Sequence, residues 1–297
     1  MRVLITGSTG FIGKHVLSIL EKNGHDILAL MRSSDHISRS KVRVLNGSLD
    51  SLEDIKGAIK DFSPEACIHL AWSGIPDFSL SMCMRNVENS IGFLNFLATE
   101  TSCQKWVISG SCFEYGVKEG ICTEDQVAVI NTLFSWAKHT IYNYARIISE
   151  AKKIEMHWLR FFYVYGPGQR GGSLIPTIIQ SLKNKQCPPI QNPFNANDFV
   201  DVEDVANAII VSLQSKGPSG VYNVGSGQTY RVLEICTMAE KILYGNEELT
   251  QPLHRCESVP STNFWADTQK AKRVLGWKSQ ISLQQGIHNY IDSLEAV

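Results

Sequence analysis

The feature that most restricts how this 297-residue chain can fold is a glycine-rich turn close to its first residues. The turn follows an apolar run at 3–6 and opens a segment with helical periodicity at 12–22. Its three glycines allow a tight bend, a close approach of the backbone to a pyrophosphate, and close packing of the helix on the strand. The helix N-terminus also offers free N–H groups to an anion. The pattern predicts a dinucleotide-binding site at Thr6-Gly7-Ser8-Thr9-Gly10-Phe11-Ile12-Gly13.

Short apolar runs alternate with segments of helical periodicity through the first half of the chain. The predicted buried strands are 3–6, 27–31, 42–45, 66–70, 107–109 and 158–162, and the predicted helices are 12–22, 51–60, 85–100 and 135–152. Strands that alternate with helices build a parallel sheet covered on both faces, because each right-handed crossover lays its helix on the sheet. We therefore expect an α/β fold in which residues 1–166 form a Rossmann-type, doubly wound parallel sheet.

The second half of the chain has a different sequence pattern. The strict alternation ends near Gly166, and prolines at 176, 188, 189 and 193 break the chain into shorter pieces. We expect residues 167–297 to form a smaller C-terminal substrate-binding lobe, with returns to the sheet near 199–225.

Composition excludes several classes of function. The 28 basic and 29 acidic residues leave a formal charge of −1, so nucleic acid is not an expected partner. The eight cysteines form no C-x-x-C pair and no zinc-finger spacing, so we expect no metal site and a reducing compartment. No apolar run approaches the roughly eighteen residues of a membrane span, and Met1-Arg2 leads directly into the first strand without a signal peptide. We expect a cytoplasmic protein that does not bind a membrane.

The end of the second predicted strand bears on the choice of dinucleotide. An acidic residue about twenty positions beyond the glycines would bind the adenosine ribose and repel a 2′-phosphate. That position holds Met31, followed by Arg32 and Ser33. A guanidinium beside hydroxyl groups suits a phosphate dianion, so we expect NADP(H). The alternative is NAD(H) with Arg32 as a solvated charge, and Asp35 keeps this alternative open.

Further blocks of sequence extend along nearly the whole chain. They are His69-Leu70-Ala71, Ser109 to Gly116, Val164 to Gly168, Asn197 to Ala206, and Leu275 to Lys278. With the glycine turn, and in this order, they resemble the extended short-chain dehydrogenase/reductases, the NAD(P)-dependent group of nucleotide-sugar epimerases, dehydratases and reductases. His69-Leu70-Ala71-Trp72 and the run at 110–116 look most like the branch that reduces the C4 ketone of nucleotide-linked 4-keto-6-deoxyhexoses.

The resemblance implies that the first half holds the cofactor and that the C-terminal lobe holds a nucleoside-diphosphate sugar. It also implies a homodimer formed through a four-helix bundle from the helices near 81–101 and 134–152. Asn86 falls where the family often places a residue near the nicotinamide. The residues that it assigns to the cofactor are Gly7, Thr9, Gly10, Phe11, Ile12, Gly13, Arg32, Ser33, Ser48, Leu49, Leu70, Ala71 and Lys138.

Reduction of a ketone needs a hydride for carbon, a proton for the developing alkoxide, and donors that hold the oxygen. The resemblance implies a hydroxyl residue, a tyrosine and a lysine, and it places the hydroxyl at Ser111 and the lysine at Lys138. The alternative for Ser111 is a serine that caps its own backbone. The tyrosine position holds Phe134, which cannot transfer a proton.

Three explanations of Phe134 remain open. The chain is an engineered Tyr-to-Phe variant that traps bound substrate, or another group donates the proton, or the site is catalytically silent. The candidate donors are Tyr163, His139, and a water held by Ser111 and Lys138. Tyr163 stands where relatives carry a substrate-facing Asn, and it could instead be an aromatic wall. His139 adjoins Lys138 on a helix, so the two side chains diverge by about 100°.

The substrate side departs from the family at two further places. Asn197 stands where many relatives use an arginine on the diphosphate; an amide donates hydrogen bonds but supplies no charge. The candidates for that charge are Arg170 and Arg255, each of which is equally compatible with a solvated surface position. The dehydratases carry Asp-Glu where this chain has Cys112 and Phe113, so we do not expect dehydration.

The leading hypothesis is an NADPH-dependent reductase that transfers a hydride to the C4 ketone of a nucleotide-linked 4-keto-6-deoxy sugar. One alternative is a nucleotide-sugar epimerase that retains NAD. The other is a catalytically silent NAD(P)-binding protein, a sensor or a scaffold, which Phe134 favours.

Overall fold

The computed structural model describes residues 1–32, 42–116, 119–256 and 263–295. The strands are β1 Arg2–Thr6, β2 Asp26–Met31, β3 Val42–Asn46, β4 Ala66–His69, β5 Lys105–Ser111, β6 Glu119–Cys122, β7 Glu155–Phe161, β8 Tyr163–Tyr165, β9 Ala196–Asn197, β10 Phe199–Asp201, β11 Gly220–Val224, β12 Tyr230–Arg231 and β13 Asn263–Ala266. The α-helices are α1 Phe11–Lys22, α2 Leu52–Phe62, α3 Leu80–Glu100, α4 Leu133–Lys152, α5 Leu174–Lys183, α6 Val202–Gln214, α7 Val232–Tyr244 and α8 Leu283–Ser293.

The main sheet has seven strands in the order β11-β7-β5-β4-β1-β2-β3, and all its pairings are parallel. Helices cover both of its faces. Along β1, Val3 and Ile5 belong to the core beneath α1 and α6, whereas Leu4 belongs to the core beneath α2, α3 and α4. Successive side chains of a strand point to opposite faces, so this division shows a sheet buried on both sides. The predicted doubly wound α/β fold is confirmed.

The strand order places a crevice beside the glycine turn. The chain runs from β1 to β2 and β3 on one side, and it then returns to β4 on the other side of β1. In open α/β sheets, ligands bind at the carboxyl ends of the strands where the order reverses. The turn at 7–10 follows β1, and Leu70-Ala71 follows β4, so both lie at this reversal.

The predicted bounds differ from the observed ones mainly at element ends. The strand predicted at 107–109 extends over Lys105–Ser111, and the helix predicted from 85 begins at Leu80. The earlier start is explained by Ser79, whose hydroxyl accepts a hydrogen bond from the Met82 amide and caps the helix. The cap satisfies an amide that the first turn would otherwise leave without a partner.

The second half of the chain, together with β6 from the first half, forms two smaller sheets. Strands β8 and β10 pair in parallel, β6, β9, β12 and β13 form a four-stranded sheet, and α5, α7 and α8 share a third core. The chain returns to the main sheet as β11, at 220–224, whereas 199–201 pairs outside it. The buried Asp198 carboxylate joins these segments, since it accepts hydrogen bonds from the amides of Ser226, Gly227 and Ala266. None of the helices in the described residues is long and apolar enough to span a bilayer.

Candidate active site

The glycine turn leaves the start of α1 open to an anion. Gly10 is the N-cap residue, no side chain caps the helix, and its first turn contains no acidic residue. The first amides of the helix, including those of Phe11 and Ile12, therefore lack a side-chain partner at the positive end of the helix dipole. This arrangement fits the pyrophosphate of a dinucleotide.

Backbone contacts explain the spacing of the glycines. A Cβ atom on Gly13 would lie 2.1 Å from the Gly7 carbonyl oxygen, and a Cβ on Gly7 would lie 2.7 Å from the Ala71 amide nitrogen. Gly7 also has a φ of +73°, in the region that favours glycine. A Cβ on Gly10 would meet the Gly7 oxygen at 3.1 Å, a milder contact. The turn packs directly against both α1 and the end of β4, and side chains at 7 and 13 would separate them.

A pocket extends from the turn to the end of β2. It brings together most of the residues expected at the cofactor: Gly7, Thr9, Gly10, Arg32, Ser48, Leu49, Leu70 and Ala71. Arg32 is exposed at its edge, and Ser33 lies outside the described residues. Of the residues described as lining it, only Asp50 is acidic. Two hydrogen bonds of 2.6 Å from the Arg85 guanidinium hold the pKa of this carboxyl well below its usual range and offset its charge.

Two buried polar residues support the pocket from beneath. His69 contacts the Thr6 hydroxyl at 2.8 Å and the Ser90 hydroxyl at 3.1 Å, and burial lowers its pKa to about 3, so the ring is neutral. Asn86 accepts from the Ser73 amide and donates to the carbonyls of Ser73 and Met82. Asn86 lines the pocket, but its side chain is occupied in holding the loop after β4.

A second pocket adjoins the turn and contains Ser111, Phe134 and Lys138. The Lys138 ammonium donates to the Ser109 carbonyl oxygen at 2.8 Å and lies 4.4 Å from the centroid of the Trp72 ring. Its side chain is buried, and among the described residues no carboxylate pairs with it. Desolvation lowers the pKa of Lys138 to about 8, because burial disfavours the charged form. The lysine therefore holds a proton at neutral pH and can release it.

Ser111 ends β5 and caps the short 3-10 helix that follows. Its hydroxyl oxygen accepts from the Phe113 amide at 3.2 Å, so the capping alternative for this serine is observed. The hydroxyl proton remains able to donate to another acceptor. The Ser111 amide donates to the buried Glu114 carboxylate, which also accepts from Trp158 and pairs with Arg160. These contacts hold the serine in place without using its proton.

Phe134 occupies the first turn of α4. Thr132 and Ser135 form a reciprocal cap, with the Ser135 amide 3.0 Å from the Thr132 hydroxyl. This start places residue 134 one turn before Lys138 on the same helix face. The centroid of the Phe134 ring lies 5.0 Å from that of Trp72 and 4.8 Å from that of Phe78. The tyrosine position thus holds a ring packed among other rings.

The two alternative proton donors, Tyr163 and His139, make their contacts outside the pocket that contains Ser111 and Lys138. The Tyr163 ring packs against Phe113 at 6.1 Å and Phe199 at 5.6 Å, and its hydroxyl has no hydrogen-bond partner within the described residues. Burial raises the pKa of Tyr163, which opposes its ionisation. The His139 ring contacts Tyr142 instead of the pocket. Neither is among the described residues that line the pocket with Ser111.

The residues expected at the diphosphate are not gathered in the described pockets. Asn197 is 7% exposed within β9, and its amide oxygen has no partner among the described residues. Arg170 and Arg255 are exposed and line neither pocket. Across the described residues, no three His, Cys, Asp or Glu side chains come together as a metal site.

Comparison with known proteins assigns the chain to a family. Residues 3–225 match the model of the NAD dependent epimerase/dehydratase family. The chain belongs to this family. It is 26% identical to the UDP-glucose 4-epimerase of Lactobacillus helveticus, covering 94% of this chain and 92% of that protein. It is 24% identical to the dTDP-4-dehydro-6-deoxyglucose reductase of Escherichia coli, covering 98% and 97%.

A solved structure, MoeE5 in complex with UDP-glucose and NAD, has the same fold. It superposes with a TM-score of 0.84 at 24% identity, over 100% of this chain and 99% of that one. Members of the NAD dependent epimerase/dehydratase family are NAD(P)-dependent enzymes of nucleotide sugars, so the resemblance stated from the sequence motifs is confirmed.

Sequence reasoning missed three side chains that shape this family member's site. Trp72 contacts both Lys138 and Phe134, and Phe78 and Phe113 pack on Phe134. The sequence could have indicated Trp72, because it directly follows the His-Leu-Ala block at the edge of the sheet. Phe78 had no such signal, since loop residues have no periodicity.

Proposed function

We propose that this protein is an NADPH-dependent reductase of a nucleotide-linked 4-keto-6-deoxy sugar. One observation carries the proposal: the Ser111 hydroxyl and the Lys138 ammonium line a single cleft with the uncapped amides of α1. In this assignment residues 1–166 bind the cofactor, with returns near 199–225, and residues 167–297 bind the sugar nucleotide. Asn197, Arg170 and Arg255 are its candidate ligands for the diphosphate.

The cofactor assignment rests on the described pocket. The dinucleotide, when bound, supplies the hydride. The amides of Phe11 and Ile12 bind its pyrophosphate, Ser48 and Leu49 line its adenine, and Ala71 lies along its ribose. Arg32 and Ser33 bind the 2′-phosphate. The offset charge of Asp50 supports NADPH, because little net negative charge remains to repel a phosphate. NAD remains the alternative, and the similar MoeE5 structure contains NAD.

The proton has to come from a group other than Phe134. We assign it to Lys138, acting through a water that Ser111 also holds. Ser111 would donate a hydrogen bond to the C4 oxygen, and the Lys138 proton, relayed by the water, would complete the alcohol. The Lys138 amine would then take a proton from solvent. Tyr163 is the weaker candidate, because its ring contacts Phe113, and Phe113 in turn contacts Phe134. Because the pKa of Lys138 lies at about 8, we expect activity to fall as the pH rises through 8.

The decisive test offers dTDP-4-keto-6-deoxyglucose and NADPH to the purified protein. A reductase oxidises one NADPH for each sugar reduced, whereas an epimerase leaves the free cofactor pool unchanged. Phe134→Tyr then tests the donor: because Lys138 already supplies a proton, we expect kcat to change by less than about tenfold. A rise of about 100-fold or more, the usual contribution of a general acid, would mean that the native chain lacks a donor. Phe113→Tyr is the matched control, since it adds a hydroxyl to a neighbouring ring away from the helix face of Lys138, and it should not raise kcat.

Phe134 also supports a second candidate, a catalytically silent NAD(P)-binding protein. Cofactor binding without turnover in both the native chain and Phe134→Tyr would favour that candidate. An engineered Tyr-to-Phe origin predicts instead that the parent gene encodes tyrosine and that Phe134→Tyr is fully active.

We further propose a homodimer through α3 and α4. These helices pack on each other, and they leave Leu80, Met84 and Ile147 at least half exposed. A second copy of the pair would cover these side chains in a four-helix bundle. Light scattering should give twice the chain mass, and Ile147→Asp should give a monomer; a monomeric native protein would contradict the proposal.

A further inference from the structure

Five aromatic rings form a continuous surface beside Ser111, which we call the aromatic wall: Trp72, Phe78, Phe113, Phe134 and Tyr163. Phe134 is at its centre, with ring centroids 5.0 Å from Trp72, 4.8 Å from Phe78 and 5.9 Å from Phe113. Phe113 in turn lies 6.1 Å from Tyr163. The rings come from the loop after β4, the end of β5, the start of α4, and β8.

The aromatic wall borders the place where a carbonyl would react. Trp72 and Phe134 line the same pocket as Ser111 and Lys138. Lys138 is the only ionisable side chain among the described residues that line this pocket, and Ile75, Leu70 and Phe162 add further apolar surface. The aromatic wall contains two polar groups, the buried indole N–H of Trp72 and the Tyr163 hydroxyl, and neither has a partner in the described residues. The rings of Phe78, Phe113 and Phe134 offer no polar group to a ligand.

Two rings of the aromatic wall are open to solvent. Phe78 is 41% exposed and Phe113 is 45% exposed. Contact with an apolar group would remove this surface from water, which is favourable in proportion to the apolar area. A hydroxyl or a carboxylate in the same place would lose hydration without gaining a hydrogen bond or a counter-charge. The physical character of the surface therefore discriminates between substituents.

We infer that the aromatic wall binds the C5–C6 end of the sugar and selects a methyl group at C6 over a hydroxymethyl or a carboxylate group. The inference rests on the proposed function, which places C4 at Ser111. The carbons flanking C4 are C3, whose hydroxyl needs a polar partner, and C5, which carries C6. Only the C5–C6 side of a 6-deoxy sugar presents an apolar edge. Phe134 then has a positive role as the centre of a specificity surface.

The test compares three sugars that differ only at C6: dTDP-6-deoxyglucose, dTDP-glucose and dTDP-glucuronate. Calorimetry with NADPH present forms dead-end complexes, since none of these sugars carries a ketone to be reduced. We expect the 6-deoxy sugar to bind about tenfold more tightly than dTDP-glucose, a usual effect of one group in an apolar pocket. We expect dTDP-glucuronate to bind most weakly. The UDP, GDP and CDP sugars, titrated in parallel, extend the comparison to the other common bases.

Variants assign the preference to the aromatic wall. Phe78→Ala and Phe113→Ala should bring the deoxy sugar and dTDP-glucose to within about threefold of each other. Phe113→Arg should raise the affinity for dTDP-glucuronate relative to dTDP-glucose, because it supplies a counter-charge. Leu294→Ala is the control, since Leu294 is 43% exposed at the end of the last helix and should leave all ratios unchanged. NADPH affinity, measured on the same samples, reports the integrity of the fold.

The outcomes distinguish failure of the inference from failure of the proposed function. If none of the sugars binds in any of the nucleotide series, the proposed function is wrong and the inference with it. If the three sugars bind equally, or if Phe78→Ala and Phe113→Ala keep the full preference, the inference alone is overturned.

Discussion

The two ends of the cleft are built on different principles. At the cofactor end, backbone atoms set the geometry: added Cβ atoms on Gly7 and Gly13 would meet main-chain atoms at 2.7 Å and 2.1 Å. At the substrate end, side chains from four separate segments set it, and the family pattern is altered at Phe134 and Asn197. A site whose geometry is set by backbone atoms tolerates few substitutions. A surface formed by side chains can be changed one residue at a time. We therefore expect substitutions at the cofactor end to be more disruptive than substitutions at the substrate end.

The largest effect should follow from breaking the cofactor end at its tightest contact. Gly13→Ala places a methyl group 2.1 Å from the Gly7 oxygen, so the turn has to move away from α1. We expect no NADPH binding by calorimetry and a lower melting temperature. Gly57→Ala is the control, because nothing lies within 4 Å of its added Cβ in the exposed face of α2. This control should gain about 0.5–1 kcal/mol in unfolding free energy. If Gly13→Ala bound NADPH as tightly as the native protein, backbone contacts would not set the geometry of the cofactor end.

Lys138→Met, between the cofactor end and the substrate end of the cleft, should lower activity and raise stability. We expect at least a 100-fold loss of activity and a gain in unfolding free energy at pH 7. The pKa of Lys138 falls from 10.5 in the unfolded chain to about 8 in the folded one, so folding below pH 8 buries a charge. Removal of that charge should gain about 1–3 kcal/mol by the linkage of pKa to stability.

The pH dependence of the unfolding free energy tests whether the buried charge of Lys138 causes this gain. Native stability should rise relative to the variant between pH 8 and 10.5, as the unfolded lysine alone stays protonated, and urea titrations at several pH values measure this. Lys152→Met, at the exposed end of α4, should leave the unfolding free energy unchanged. A destabilised Lys138→Met would mean that the hydrogen bond to Ser109 outweighs the desolvation of the ammonium.

Arg32→Ala should have an intermediate effect, confined to one cofactor. Loss of a guanidinium from a 2′-phosphate should weaken NADPH binding by about tenfold or more and leave NADH binding unchanged. Arg43→Ala, which removes an exposed arginine paired with Asp26, should change neither. Equal effects of Arg32→Ala on both cofactors would remove the basis for an NADPH preference.

The smallest effect is expected for Tyr163→Phe. The Tyr163 hydroxyl lacks a partner among the described residues, and the ring contacts persist in the variant. We expect kcat to change by less than about threefold, compared with the 100-fold or greater loss of a general acid. A loss of that larger size would transfer the proton-donor role from Lys138 to Tyr163.

Much of the fold was predictable because its signals are local. The alternation of apolar runs with helical periodicity predicted all but one strand of the main sheet, and the exception, β11, lies beyond the point where that alternation ends. The residues of the site were predictable in part, since Ser111 stands in a recognisable block and the family resemblance placed the lysine at Lys138; their catalytic roles stay predictions. Phe78 and Phe113 were not, because a loop ring and a ring after β5 carry no pattern that places them together. The orphaned amide oxygen of Asn197 likewise depends on the neighbours that β12 and β13 supply.

The sequence alone determined the class of sheet, the position of the glycine turn and the absence of a tyrosine one turn before Lys138. These follow from residue spacing and from the sterics of single positions, which act over a few residues. Only the tertiary structure decided that Arg85 offsets Asp50, that burial brings the pKa of Lys138 to about 8, and that rings from distant segments meet beside Ser111. Desolvation and packing depend on which surfaces come together, and that is a property of the folded chain as a whole.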